Sequence, residues 1–142
     1  MNDIPKGRTK EEIKTRERLI REFYAQWISE HPDKKVWNRN LEAFIHVKFL
    51  SINETYEKAS RNYESTLAVF RLTEILENAI PMESKTANRN TRNQKQFEEL
   101  IVMRHDNVKL TIGLQRSTQE FVQYCITVPK RSESKNETIT RK

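Results

Sequence analysis

The stretch VKLTIGLQRSTQEFVQYCIT, residues 108–127, constrains the fold more than any other part of the chain. On either side of a basic, hydroxyl-rich turn, apolar side chains alternate with polar ones. Period-two alternation marks strands with one buried face, and two such runs joined by a short turn make an antiparallel hairpin. The strands read as 108–115 and 120–128, with Pro129 ending the second. Residues 97–104 read as a third strand, turning through His105, Asp106 and Asn107 into the hairpin.

Upstream the period changes. Thr9 and Glu12 stand at capping-box spacing, and Ile13, Ile20, Phe23, Tyr24, Trp27 and Ile28 then recur at helical intervals. This predicts a helix over 9–30, stopped by His31-Pro32-Asp33. EAFIHVKFL, 42–50, reads as a strand with Phe44, His46, Lys48 and Leu50 on one face. Ser51 and Glu54 repeat the capping-box spacing before the polar segment 52–62, which reads as a helix or as a lid-like loop. A further helix over 65–79 carries the stripe Ala68, Leu72, Ile75, Leu76 and Ala79, with Pro81 behind it. Residues 83–96, ESKTANRNTRNQKQ, have no apolar side chain beyond Ala87 and read as a long basic loop. The order implies an α+β fold, with N-terminal helices packed on a small antiparallel sheet of about four strands. One domain over 9–128 is expected, with a flexible start at 1–8 and a disordered basic tail at 129–142.

Composition narrows the function. The 142 residues are 35% hydrophobic and 32% charged, so the core is lean. A net charge of +6 favours a polyanionic partner. The single cysteine, Cys125, excludes a disulfide framework and argues against a cysteine-based metal site. His31, His46 and His105 lack ligand spacing, and two glycines cannot make a phosphate loop, so neither metal nor cofactor is expected. No run approaches the ~20 apolar residues of a membrane span, and MNDIPKGRTK lacks the apolar core of a signal peptide. A cytoplasmic location without membrane contact is the expectation.

Three stretches together resemble a known group: IHVKFLS, then RLTEILENAI, then QFEELIVMRHDNVKLTIGLQRSTQEFVQYCIT after a polar insertion. They resemble the barnase–EndoU–colicin–RelE-like nuclease fold, and within it the small domains associated with large polyvalent proteins of phages and conjugative elements. Leu72, Ile75, Leu76, Asn78 and Ala79 carry the helix of that pattern, and Asn107 sits at its turn. The resemblance covers roughly residues 42–128. It implies a bacterial mobile-element context and an RNase-like ancestry that includes metal-independent enzymes, with RNA ahead of DNA as partner.

Metal-free RNA cleavage needs a base for the 2′-hydroxyl, a cation for the phosphate and an acid for the leaving 5′-oxygen. His46 titrates near neutrality, and Lys48, two residues on, shares its strand face. Arg116 in the hairpin turn is the third catalytic candidate. Lys85, Arg89, Arg92 and Lys95 in the basic loop, Arg104, His105, Ser117 and Thr118 are the nucleic-acid-binding candidates. Glu54, shortly after the strand, is a carboxylate that could orient or activate His46, although capping explains it more simply. Two readings stay open. One is a nucleic-acid-binding, RNase-like domain; the other is a non-catalytic accessory protein that holds a partner through the amphipathic helix 9–30.

Overall fold

A computed structural model describes residues 4–91 and 94–129. In chain order the elements are α1 (Lys10–Glu30), β1 (Lys35–Asn38), β2 (Ala43–His46), α2 (Phe49–Ala59), α3 (Tyr63–Val69), α4 (Leu72–Asn78), β3 (Ile80–Thr86), β4 (Phe97–His105), β5 (Val108–Gln115) and β6 (Phe121–Thr127). The fold is α+β, as expected, but the described sheet has six strands in the order β1-β2-β6-β5-β4-β3. It is also mixed rather than antiparallel throughout, because β2 runs parallel to β6, pairing Ile45 with Phe121 and His46 with Val122.

The expected cap starts α1. Thr9 Oγ1 accepts from the Glu12 amide at 3.2 Å, and Glu12 Oε1 accepts from the Thr9 amide at 3.3 Å. Ile20, Tyr24 and Trp27 are buried against the sheet and the other helices. The apolar stripe of this helix therefore fills the protein's own core. Arg16 is buried beside it, which the sequence pattern did not suggest. Its guanidinium donates to Ser60 O at 2.8 Å and to Pro5 O at 2.7 Å, tying the N-terminal segment and the α2–α3 turn to α1.

Three boundaries differ from the sequence reading, and β1 forms where no strand was expected. The strand expected over 42–50 stops at His46, and α2 begins at Phe49. Ser51 does not cap from outside the helix. It lies within it, and its hydroxyl accepts from the Lys48 amide at 2.9 Å. The helix expected over 65–79 is two helices, breaking at Phe70 and Arg71, where Phe70 packs on Phe23 with ring centroids 5.4 Å apart. No glycine or proline marks that break, so tertiary packing places it. The third difference is in the basic stretch. Its first residues form β3, an edge strand whose side chains are all exposed. A strand that buries nothing has no alternation to read, and an edge position tolerates Pro81.

One sheet face meets the helices through Ile45, Ile101, Met103, Leu110, Ile112 and Ile126. A buried polar chain crosses this layer. Tyr24 Oη donates to Gln123 Oε1 at 2.9 Å, and Gln123 Nε2 donates to Thr55 Oγ1 at 2.6 Å. The second face holds a smaller cluster of Phe97, Leu100, Val122 and Tyr124. There the Phe97 ring lies over Gly113, on the strand beside it.

Candidate functional site

The β1–β2 hairpin turns Val36 and Ile45 into the core and leaves His46 at the end of β2. Val47 is buried next, and its amide donates to Lys34 O at 2.8 Å. Lys48 then opens α2. His46 and Lys48 therefore do not share a strand face, as the alternation implied, since the strand ends between them. A third residue brings them together. Glu120, between the β5–β6 turn and β6, accepts from Lys48 Nζ at 2.7 Å and lies 3.6 Å from His46 Nε2. Lys48 Nζ also donates to Gln115 Oε1 at 2.6 Å. Gln115 is held in turn by Thr118 Oγ1 at 2.9 Å and Gln96 Oε1 at 2.7 Å. A hollow of about 360 Å³ opens over this group, lined by Asp33, Lys34, His46, Val47, Lys48, Phe49 and Glu120.

The electrostatics are mixed. Burial is the main cause that lowers the His46 pKa, and Lys48 and Lys35 add to it against the opposing pull of Glu120. Near pH 7 these influences favour the neutral imidazole. The Lys48 ammonium holds the Glu120 carboxyl below its ordinary value. A neutral imidazole, a carboxylate and an ammonium in one open hollow can take a proton, stabilise the resulting imidazolium and meet an anionic oxygen.

The other candidates divide between the two ends of the sheet, which β5 separates by roughly 25 Å. Arg116 stays near the hollow's end but does not line it. Its amide donates to Gln96 O at 2.9 Å and its Nε to Lys95 O at 3.3 Å, so it ties the β5–β6 turn to the segment before β4. Ser117 and Thr118 are exposed in the same turn, and Lys95 is exposed beside it. Lys85 is on β3 opposite Leu100, and Arg89 is in the turn that follows. Arg92 lies outside the described residues. At the far end Arg104 pairs with Lys109 across β4 and β5. His105 Nε2 sits 2.7 Å from Glu74 Oε2, and an Arg71 Nη2 reaches Glu74 at 2.5 Å and Asp106 at 3.2 Å. Arg71 first, then His105, brings the Glu74 pKa to about 2. The groups Glu74, His105 and Asp106 lie close enough to hold a cation, but Arg71 already compensates both carboxylates.

Glu54 lies away from the head of the last strand, on α2. It is buried there and pairs with Lys58 at 3.3 Å, beside Tyr124. The carboxylate that the structure places beside His46 is Glu120. The only local signal for Glu120 was a carboxylate at the head of the last strand. Its meeting with His46 follows from the parallel β2–β6 pairing, which no local pattern announces.

Fold and site thus define a small α+β domain with a histidine, a glutamate and a lysine clustered at one end of a mixed sheet. Residues 15–120 match the family model described as "Large polyvalent protein-associated domain 3", and the chain belongs to that family. No curated protein and no solved structure matches the chain. No helix among the described residues is long and apolar enough to cross a membrane.

Proposed function

We propose that this chain is an RNA-directed domain that cleaves its substrate without a metal, with His46, Glu120 and Lys48 as the reacting group. The observation that carries the reading is the convergence of these three side chains in one open hollow. Neutral His46 takes the proton of a 2′-hydroxyl, and the 2′-oxygen attacks the adjacent phosphorus. Glu120 stabilises the imidazolium that forms, and Lys48 faces the charge on the phosphoryl oxygens. The proton held by His46 passes to the departing 5′-oxygen. A 2′,3′-cyclic phosphate and a 5′-hydroxyl result.

The consecutive antiparallel strands β3–β6 behind an N-terminal set of helices support a barnase–EndoU–colicin–RelE-like fold. The net charge of +6 supports a polyanionic substrate. Ile20, Tyr24 and Trp27 on the α1 stripe lie in the core, which favours this reading over a partner-docking role for that helix.

The test incubates the chain with RNA and with DNA in EDTA, beside His46→Ala, Lys48→Ala and Glu120→Gln. RNA cleavage should fall by about 10²–10⁴-fold in His46→Ala, the usual span of acid–base catalysis. Binding should weaken as salt rises. Intact RNA with wild type and salt-independent binding would refute the reading.

A further inference from the structure

The β1–β2 hairpin carries two aromatic rings that the core does not use. Register decides which side chains share its outer face. Lys35 stands opposite His46, and Trp37 opposite Phe44, while Val36 and Ile45 point inward. Trp37 is 50% exposed and Phe44 41% exposed, and their rings meet edge to face with centroids 5.1 Å apart. Lys35 Nζ lies 4.4 Å from the centroid of the Phe44 ring. The face therefore runs from an aromatic pair, past a lysine, to the histidine that lines the hollow. Trp37 and Lys35 are two residues apart on the strand, about 7 Å, comparable to the phosphate step of an extended nucleic-acid strand.

We infer that Trp37 and Phe44 form a base-stacking platform that seats a nucleotide of single-stranded RNA next to the one held over His46. The inference rests on the RNA reading of the hollow and names the strandedness of its substrate. An exposed aromatic face stacks on any unpaired base. An A-form duplex keeps its bases stacked on one another and offers no free face. Lys35 beside the platform and Lys34 in the lining of the hollow supply positive charge, which suits a phosphate backbone rather than an apolar peptide. Two rings also offer far less area than a stable dimer interface requires.

The chain has two tryptophans, and Trp27 is buried, so a ligand-induced change in exposed tryptophan emission reports Trp37. The experiment titrates the full chain with a 2′-O-methyl oligouridylate, which resists cleavage, and with an A-form duplex of the same length. The single strand should quench the exposed emission and the duplex should not. Trp37→Ala and Phe44→Ala should each weaken single-strand binding by about 10-fold, and Trp37→Phe should keep most of it. Both rings are partly solvated, so the variants should stay folded, and their urea midpoints check this. Unchanged single-strand affinity in Trp37→Ala and Phe44→Ala would overturn the platform. So would self-association of wild type that Trp37→Ala abolishes while RNA leaves the emission unmoved. Cleavage by His46→Ala at the wild-type rate, with quenching intact, would refute the catalytic reading and leave the platform standing. Cleavage lost in His46→Ala but unaltered in Trp37→Ala, KM included, would remove the platform alone.

Discussion

Replacing Gly113 with alanine should destabilise the protein, against the usual direction for such a change. A β-carbon built at Gly113 falls 2.6, 2.7 and 2.9 Å from three carbons of the Phe97 ring, where ordinary contact begins at 3.4 Å. The ring must therefore retreat by close to 1 Å, and it is fully buried in the second cluster against Tyr124. Overpacking of this kind costs about 1–3 kcal/mol. Gly113 does not have a positive φ, so alanine meets no backbone strain there. By itself, the lost freedom of the unfolded chain would stabilise the variant by about 0.4–1 kcal/mol. The net expectation is a loss of about 1–2 kcal/mol, read as a lower urea midpoint at an unchanged slope. A double-mutant cycle isolates the cause. In a Phe97→Leu background the clash is relieved, so Gly113→Ala should become neutral or mildly stabilising, with a coupling of at least about 1 kcal/mol. A stabilised Gly113→Ala, or equal losses in both backgrounds, would refute the argument from ring contact.

Two further outcomes follow from polar groups, one buried and one half-buried. Asn38 is fully buried, donates to Leu76 O at 2.8 Å and Ala79 O at 3.0 Å, and accepts from the amides of Asn40 at 2.9 Å and Leu41 at 2.6 Å. Asn38→Ala removes these four bonds, with Ala79 O keeping a second donor in Asn40 Nδ2 at 3.2 Å, and should cost about 2–4 kcal/mol in urea unfolding. His46 titrates below its ordinary value in the folded state, so between its folded pKa and about 6.5 the unfolded chain binds more protons. Its contribution to stability is present above the unfolded pKa and is lost as pH falls through the folded one. The stability difference between wild type and His46→Asn should therefore shrink on acidification below about pH 6.5, measured as urea midpoints against pH. A difference that stays flat across that range would mean that His46 is not held neutral by its surroundings.

Local periodicity carried the sequence reading a long way. The alternation in residues 108–127 located β5 and β6 to within a residue, because each strand buries one side of a pleat. The capping pair Thr9 and Glu12 located the start of α1, because those two side chains satisfy amides of their own first turn. The stripe through Leu72, Ile75 and Leu76 marked the buried face of α4. His46 and Lys48 were legible as candidates because a histidine beside a lysine has chemistry that residue type alone announces.

What remained was decided by partners distant in sequence. β1 and β3 are edge strands, and β3 buries none of its side chains, so their existence depends on the strand each pairs with. The α3–α4 break follows from where Phe70 packs on Phe23, not from any helix-breaking residue. Glu120 reaches His46 and Lys48 only because β2 runs parallel to β6, bringing together residues 74 positions apart in the chain, 120 less 46. The outer face of Lys35, Trp37, Phe44 and His46 is likewise a product of hairpin register. By itself the sequence determined the strongly periodic segments, α1, the buried stripe of α4 and the strands β4 to β6, and which residue types can do acid–base chemistry, since both are properties of neighbouring residues. Only the tertiary structure decided which carboxylate completes the site and which aromatics stay in solvent, since both depend on strand pairing between segments that share no local signal.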